Sequence, residues 1–531
     1  MGKEMDTLLL STPSQHDFQD PAVELNRKRL EAWLRELPLL NLGACVGMLR
    51  QALGPLNRQA LPDKDRLRLL ELYREPANSL FTSFDHTRLR QMPLSSEQRK
   101  QLKESVGSLC LDLAAGYKIA VKHGFESGHS PARDPDLLLA LQRAMEQIAH
   151  ALLHSYRVYS APPEHAYLEL HQLYRFAEHH KVLDRPFASN PGNQTLLQFY
   201  QQHMLLAIAD PFRLAEDEAV KLLRLLHPYA AACRLLTDGA CAPPEGRFLI
   251  DLDADQVPRA CAKLEPDSPP RAPRILDVNQ AMANAQAALV RLTGKYDLRS
   301  VEERRLLNLL LPHLNGSYAR AVPRTAVQRE IKLAMGITAM HYFLSDDGRR
   351  LADSLAPSEY GIEVRDLESE SEAAYTLESW LIVNESVKGY LLARPRKGTG
   401  DILVGDVVGV AVTPPGGGRS FLTPAVIRWM RGGRNEQVEI GAEIIPGNPV
   451  GVRCRPLDGE NKAADACDGL LLPEVSVLNI PPTLLIPKKI YSRGRRLRID
   501  TPAQALVVEA GHLVMDTACF DRFQFSRVEG N

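Results

Sequence analysis

The chain has 531 residues, of which 44% are hydrophobic and 24% charged, and its formal net charge is -1. This length exceeds what one hydrophobic core usually supports, so we expect roughly two to four domains. A net charge near zero argues against a dedicated nucleic-acid-binding protein, because such proteins usually carry a basic excess, and we predict no DNA or RNA partner. No segment is apolar for long enough to predict a membrane-spanning helix.

The eight cysteines are scattered along the chain, and no two have the Cys-x-x-Cys spacing that is typical of a structural zinc site. The N-terminus carries a run of only three leucines, which is too short for a signal peptide. These features predict a cytoplasmic protein with reduced thiols and with no metal or cofactor.

Residues 1–240 have the apolar spacing of α-helices, as at Leu30, Trp33, Leu34 and Leu37. Segments rich in proline, asparagine and glycine separate the helical stretches. Such short connections are typical of antiparallel helix pairs, either in a bundle or in an irregular solenoid. We therefore predict an α-helical domain over these residues.

Several histidines occur close together in this helical region. His150 and His154 have the i, i+4 spacing of metal ligands on one helix face, so a catalytic site here is one interpretation. The residues between them are Ala-Leu-Leu, however, and the His-Glu-x-x-His motif is absent. We favour half-exposed helical histidines. Because the sequence also lacks a phosphate-binding loop and a Gly-x-Ser-x-Gly motif, we predict no enzymatic activity.

Residues 241–345 begin with a segment rich in proline and acidic groups, within which residues 247–252 predict one short strand. Helical patterning resumes at Asn279 and continues through residues 327–333 to His341. We predict that these further helices pack on the first domain.

Residues 346–378 are polar and strongly acidic, which predicts a linker that charge repulsion keeps extended. After them, short apolar runs alternate with glycine-rich turns, a pattern that is typical of a small β-barrel. We predict a barrel over residues 379–460. A β-rich extension over residues 461–531 either enlarges this barrel or packs as a separate unit. The predicted fold class is therefore multidomain α+β, with an α-helical region before an antiparallel β-barrel.

Within the predicted barrel, Asn384, Ser386 and Gly389 form the pattern Asn-x-Ser-x-x-Gly between two predicted strands, and Arg428-Trp429 lies in a later strand. This combination resembles the second signature of PilZ domains, bacterial β-barrels that bind cyclic di-GMP. The resemblance implies a PilZ-like barrel in which Asn384 and Ser386 accept hydrogen bonds from the guanine edge. It also implies that Gly389 lets the ligand approach the backbone closely.

PilZ domains also carry an Arg-x-x-x-Arg element just before the barrel, where guanidinium groups hold phosphates and stack on guanine. The acidic linker contains no arginine pair at that spacing. Arg320 and Arg324 have the spacing, but they lie far upstream in a segment with helical patterning. We therefore take Arg428 and Arg431 as the candidates for phosphate or stacking contacts.

The resemblance implies a non-enzymatic cyclic di-GMP effector, in which a barrel is coupled to a helical module that contacts a protein partner. By the same resemblance, such effectors serve motility, pili or biofilm formation. The alternative is a degenerate PilZ-like scaffold that binds protein and no nucleotide. The missing arginine pair and the acidic linker favour this alternative.

Overall fold

The computed structural model describes residues 7–528 except 86–88, 90–91, 93, 188–193, 238–240, 265–269, 296, 317–322, 345–374, 396–401, 413–420, 433–436 and 458–465. Most of the predicted acidic linker thus lies outside the described residues. The chain divides into two compact units, one of residues 1–319 and one of residues 320–531.

The first unit is predominantly α-helical, as its apolar spacing predicts. Its described helices are α1 (Arg27–Arg35), α2 (Leu42–Arg58), α3 (Asp63–Ser83), α4 (Ser96–Glu126), α5 (Pro135–Arg157), α6 (Ala166–His179), α7 (Leu196–Ile208), α8 (Glu218–Ala230), α9 (Asn279–Leu292) and α10 (Leu298–Leu314). Local sequence explains several boundaries. Ser95 and Gln98 form a reciprocal capping box at the start of α4, and the Asp134 carboxylate accepts from the first backbone amides of α5.

Four short strands in and just before the proline-rich segment of this unit form a small antiparallel sheet. Its strands are β1 (Arg234–Leu236), β2 (Arg247–Asp251), β3 (Arg259–Ala260) and β4 (Pro273–Asp277), in the order β1-β4-β2-β3. The strand predicted over residues 247–252 is β2. Phe248 and Ile250 belong to the same apolar core as the helices, so the sheet and the helices form one packed domain.

The prediction that the clustered histidines are half-exposed is wrong for His154 and His171, which are buried in the helical core. His154 contacts the Lys103 carbonyl through Nε2 at 2.6 Å, and His171 contacts the Tyr200 hydroxyl through Nδ1 at 2.7 Å. Burial lowers the pKa of both imidazoles to about 4, so they stay neutral near pH 7. Among the described residues, no cluster of histidine, cysteine and carboxylate side chains is suited to hold a metal ion.

The second unit contains two closed antiparallel barrels. The first barrel is formed by β5 (Thr325–Met335), β6 (Glu378–Ser386), β7 (Gly389–Pro395), β8 (Val407–Val412), β9 (Phe421–Gly432) and β10 (Gln437–Ile444), in the order β10-β7-β6-β5-β8-β9. The second is formed by β11 (Val450–Pro456), β12 (Cys467–Leu472), β13 (Thr483–Pro487), β14 (Arg496–Asp500), β15 (Ala505–Asp516) and β16 (Phe520–Arg527), in the order β11-β12-β13-β16-β15-β14.

The sequence pattern predicts a helix over residues 327–333, and this prediction is wrong, because these residues lie in strand β5. In this segment Val327 and Ile331 have helical spacing, whereas Ile331 and Leu333 alternate with polar residues as in a strand. Pairing with β6 over residues 325–333 decides the outcome in favour of the strand, and Ile331 and Leu333 point into the barrel.

A short helix, α11 (Gly336–Leu344), follows β5 directly and packs between the two barrels. Gly336 has a φ of +80°, which allows the abrupt change from strand to helix. Met340 and Phe343 share one apolar cluster with Val426 of the first barrel and Phe520 of the second. The two barrels are thus joined by a common core. Within the described residues, no helix is both long and apolar enough to cross a membrane.

Candidate functional site

The predicted Asn-x-Ser-x-x-Gly segment forms the hairpin between β6 and β7, with Val387 and Lys388 exposed at its tip. The backbone amide of Lys388 donates to the Ser386 hydroxyl at 3.3 Å, and this hydroxyl donates to the Gly389 carbonyl at 3.3 Å. Ser386 therefore stabilises the turn itself, as serine commonly does in tight turns.

Gly389 is required by the neighbouring strand. A Cβ atom at this position would lie 2.2 Å from the carbonyl oxygen of Ala442 on β10. Gly389 is paired with Glu443 in that ladder, so β10 runs closely along this side of the hairpin. The space beside Gly389 is thus occupied by protein backbone, whereas the resemblance implied clearance for a ligand.

Arg324 lies against the hairpin and directly precedes β5. Its Nη1 atom donates a hydrogen bond to the Oδ1 atom of Asn384 at 3.1 Å. The adjacent ladder pairs Thr325 with Glu385 and Ala326 with Asn384, so the β5–β6 pairing holds the two side chains together. Both Arg324 and Asn384 are accessible to solvent.

This contact corrects our interpretation of the Arg-x-x-x-Arg element. The sequence pattern predicts that Arg320 and Arg324 lie in a helical segment far from the barrel. Because residues 325–335 form the first barrel strand, the element stands immediately before the barrel. Arg320 itself lies outside the described residues. The spacing of the two arginines was visible in the sequence, but α11 and the acidic segment separate β5 from β6 and concealed the relationship.

One row of residues on the outer surface of the first barrel connects the hairpin to an aromatic side chain. The ladder pairs Asn384 with Leu391, Leu391 with Gly441, and Gly441 with Trp429. Directly opposed residues share a face of a sheet, and the buried Leu392 marks the opposite, inner face. The row therefore runs along the outside of the barrel from the Asn384 amide to the Trp429 indole.

The two predicted arginines of β9 flank this row and are held in surface ion pairs. Arg428 Nε lies 2.5 Å from a carboxylate oxygen of Glu443, and Arg431 Nε lies 2.8 Å from one of Glu439. The Arg431 guanidinium also sits 5.4 Å from the centroid of the Trp429 ring. Exposed ion pairs contribute only about 0–1 kcal/mol, so exchanging the carboxylate for another anion costs little.

The electrostatic character of this surface is mixed. Arg329 of β5 lies 3.4 Å from Glu385, and it is not part of the row that runs from Asn384 to Trp429. Arg324 contacts the amide of Asn384. Burial raises the pKa of Tyr390, which follows the hairpin on β7, so its hydroxyl stays protonated near pH 7. The surface thus offers guanidinium groups, an amide and an indole to a ligand that carries both phosphates and bases.

Comparison with known proteins adds evidence from outside the hairpin. Residues 28–240 match the family model described as the N-terminal domain of the cyclic-di-GMP receptor FimW, and residues 452–528 match that of the FimW C-terminal β-barrel domain. The chain is also similar to the cyclic-di-GMP receptor FimW of Pseudomonas aeruginosa, with 25% identity over 98% of this chain and 94% of that protein. The helical unit and the second barrel thus match FimW-type domains, and the first barrel lies between them in the sequence.

Proposed function

We propose that this protein is a non-enzymatic cyclic di-GMP receptor, and that the dinucleotide binds on the outer face of the first barrel. The observation that carries this proposal is the hydrogen bond from Arg324 to Asn384, which joins the two elements of a PilZ-like site across 60 positions of sequence. The names of the relative and of the matching domains support the same ligand.

The groups at this site fit the chemistry of a guanine. Guanine presents N1–H and N2–H donors on one edge. The oxygen atoms of the Asn384 amide and the Ser386 hydroxyl can accept hydrogen bonds from these donors. The Trp429 indole lies farther along the same outer row and offers a flat surface on which a base can stack. Arg324 stands where its guanidinium can contact both a base and a phosphate.

Arg428 and Arg431 are our candidates for the phosphates. Both guanidinium groups are at least partly exposed, and they are held by an exposed carboxylate, Glu443, and a half-buried one, Glu439. An arginine can grip a phosphate through two parallel hydrogen bonds, which a single contact to Glu439 or Glu443 does not provide. A doubly anionic ligand would therefore compete well for these guanidinium groups.

Beyond ligand binding, we propose that the protein relays the messenger to a protein partner through its helical unit. A ligand can shift a conformational equilibrium only by its difference in affinity for the two states. The processes that the PilZ resemblance implies are motility, pilus function and biofilm control, and we place the protein in this group of effectors.

The alternative function is a PilZ-like scaffold that binds protein and no nucleotide. One observation favours it: the contacts of Ser386 and the position of Gly389 are both explained by the hairpin and by β10. Under this alternative, partners captured by the protein would be unchanged by Asn384→Ala and by added cyclic di-GMP.

Calorimetric titration of the full chain with cyclic di-GMP and with cyclic di-AMP tests the proposal. Adenine lacks the N1–H and N2–H donors, so a site built on Asn384 and Ser386 leaves its acceptors unpaired with cyclic di-AMP. We expect binding of cyclic di-GMP and at least about tenfold weaker binding of cyclic di-AMP. Absence of heat with cyclic di-GMP at tens of micromolar ligand would reject the receptor function.

A further inference from the structure

Two cysteines face each other across neighbouring strands of the second barrel. Cys454 on β11 is paired directly with Cys467, the first residue of β12, in the antiparallel ladder. Because directly opposed residues share one face of a sheet, the two thiol groups lie side by side. Both cysteines are free.

The environments of the two thiols differ. Cys454 is fully buried in the apolar core of the barrel, whereas Cys467 is partly exposed at the strand end. The interaction with the Cys454 thiol lowers the pKa of Cys467, while burial and the Asp468 carboxylate act in the opposite direction. The interaction with the Cys467 thiol, together with burial, raises the pKa of Cys454. Since the thiolate is the reactive form of cysteine, the accessible member of the pair is also the more nucleophilic one.

The backbone geometry is close to that of a disulfide. Directly opposed residues of an antiparallel pair have Cβ atoms about 4.5–5.5 Å apart, and a disulfide needs about 3.5–4.5 Å. Closure therefore requires a contraction of about 1 Å. Gly469 leaves room for the buried sulfur, because a Cβ at that position would lie 2.7 Å from Cys454 Sγ.

We propose that Cys454 and Cys467 form an oxidisable dithiol that a peroxide converts to a disulfide. The Cys467 thiolate attacks one oxygen of hydrogen peroxide, which breaks the O–O bond, releases hydroxide and leaves a sulfenic acid on Cys467. The Cys454 sulfur then attacks the Cys467 sulfur, forms the S–S bond and releases water. Two thiols are oxidised by two electrons, and the peroxide is reduced to two waters.

The position of this dithiol gives oxidation a structural consequence. Asp468, next to Cys467, accepts a hydrogen bond from Arg453 at 2.6 Å and lies 3.7 Å from His341 on α11. Helix α11 also packs on Gly451 of β11, where a Cβ would lie 3.1 Å from the His341 ring. The disulfide would thus tighten the strand pair on which α11 rests. This inference is independent of nucleotide binding.

Thiol mapping of the full-length protein tests the proposal. The reduced protein is treated with submillimolar hydrogen peroxide, its remaining thiols are alkylated, and tryptic peptides are analysed by mass spectrometry. Because Lys462 separates the two cysteines, trypsin places them in different peptides unless a disulfide joins them. We expect the loss of two of the eight free thiols and one linked peptide pair, which a reducing agent reverses. Alkylation of all eight thiols would overturn the proposal. Oxidation of two other free cysteines of the chain, Cys241 and Cys261, before Cys454 and Cys467 would also overturn it.

Serine variants assign the roles of the two thiols. In Cys454→Ser, we expect no linked pair and capture of a sulfenic acid on Cys467 by dimedone. In Cys467→Ser, we expect Cys454 to stay reduced. The control is Cys519→Ser, which changes another partly exposed cysteine of the second unit and should leave the yield of the linked pair at the wild-type level. Oxidation of Cys454 at the wild-type rate in Cys467→Ser would contradict the proposed order of steps.

Discussion

The Trp429 indole lies where a side chain at position 441 would begin: a Cβ at Gly441 would be 2.0 Å from Trp429 Nε1. The two residues are opposed in the β9–β10 ladder, and a register shift follows directly between Gly441 and Ala442. The glycine thus lets the indole lie flat along the barrel surface, with Arg431 beside it. This arrangement places an aromatic surface in the same outer row as Asn384.

The first prediction concerns this aromatic surface. We expect Trp429→Ala to weaken cyclic di-GMP binding by about 1–3 kcal/mol, which is roughly 5- to 150-fold, because a base loses its stacking partner. The control is Phe421→Ala, which removes another exposed aromatic side chain at the start of the same strand. Titration calorimetry measures both affinities. Equal affinities of the two variants would show that Trp429 does not contact the ligand.

The second prediction concerns Gly389. We expect Gly389→Ala to destabilise the first barrel by about 1–3 kcal/mol, because the added Cβ meets the backbone of Ala442 at 2.2 Å. Trp380 and Trp429 lie in this barrel, so tryptophan fluorescence follows its unfolding in urea. Gly47→Ala is the control, since a Cβ there meets nothing within 4 Å and alanine favours the helix. Wild-type stability of Gly389→Ala would contradict the close approach of β10.

The third prediction concerns Asp406, which precedes β8. Burial raises its pKa from 3.8 to about 6, while a hydrogen bond from the Val407 amide acts in the opposite direction. The native state therefore holds this proton more tightly than the unfolded state, and stability falls as pH rises from about 4 to 6. We expect Asp406→Asn to stabilise the second unit at pH 7 by about 1–3 kcal/mol.

Thermal unfolding of Asp406→Asn between pH 4 and pH 7 measures this effect. Asparagine retains an oxygen that can accept from Val407, so the substitution changes the charge and little else. The matched surface control is Asp500→Asn, which neutralises an exposed carboxylate of the second barrel. A variant less stable than wild type at pH 7 would mean that the Asp406 carboxylate is compensated in the folded protein.

The fourth prediction concerns the buried histidines of the helical unit. Burial lowers the pKa of His154 and His171 from 6.5 to about 4, so the unfolded chain takes up protons first on acidification. The contribution of these two histidines to the free energy of unfolding is therefore fully present above pH 6.5, and it is lost as the pH falls towards 4. Unfolding of the helices, followed by circular dichroism at a series of pH values, should show this loss of stability. We expect His171→Gln to reduce the pH dependence and His165→Gln, at an exposed position, to leave it unchanged.

The fold could be predicted from sequence where local pattern and tertiary environment agree. The helical unit follows from apolar spacing, and the β6–β7 hairpin follows from its turn residues. Strand β5 was missed because its apolar residues fit both periods, and its partner β6 begins only after α11 and the acidic segment. Residues 325–335 form a strand because they pair with the distant strand β6, and a local sequence pattern carries no information on such pairing.

The part of the candidate site that lies within one hairpin could be predicted from the sequence, whereas the part contributed by distant strands could not. Asn384 and Ser386 were identified because they lie in one hairpin with a recognisable spacing. The sequence pattern assigns Arg324, like β5, to a helical segment. In the structure, Arg324 donates a hydrogen bond to Asn384 of the hairpin. The sequence also does not show why position 389 must be a glycine. The requirement comes from β10, which the closure of the barrel brings close to Gly389.

The most direct test of the receptor site compares Arg324→Ala with Arg329→Ala in a calorimetric titration with cyclic di-GMP. Both arginines are exposed residues at or beside β5, but only Arg324 contacts Asn384, whereas Arg329 pairs with Glu385. We predict that Arg324→Ala loses about 1.5–3 kcal/mol of binding free energy, which is roughly a tenfold to 150-fold weaker affinity. Arg329→Ala should bind like wild type, and an Arg324→Ala variant with wild-type affinity would contradict the proposed site.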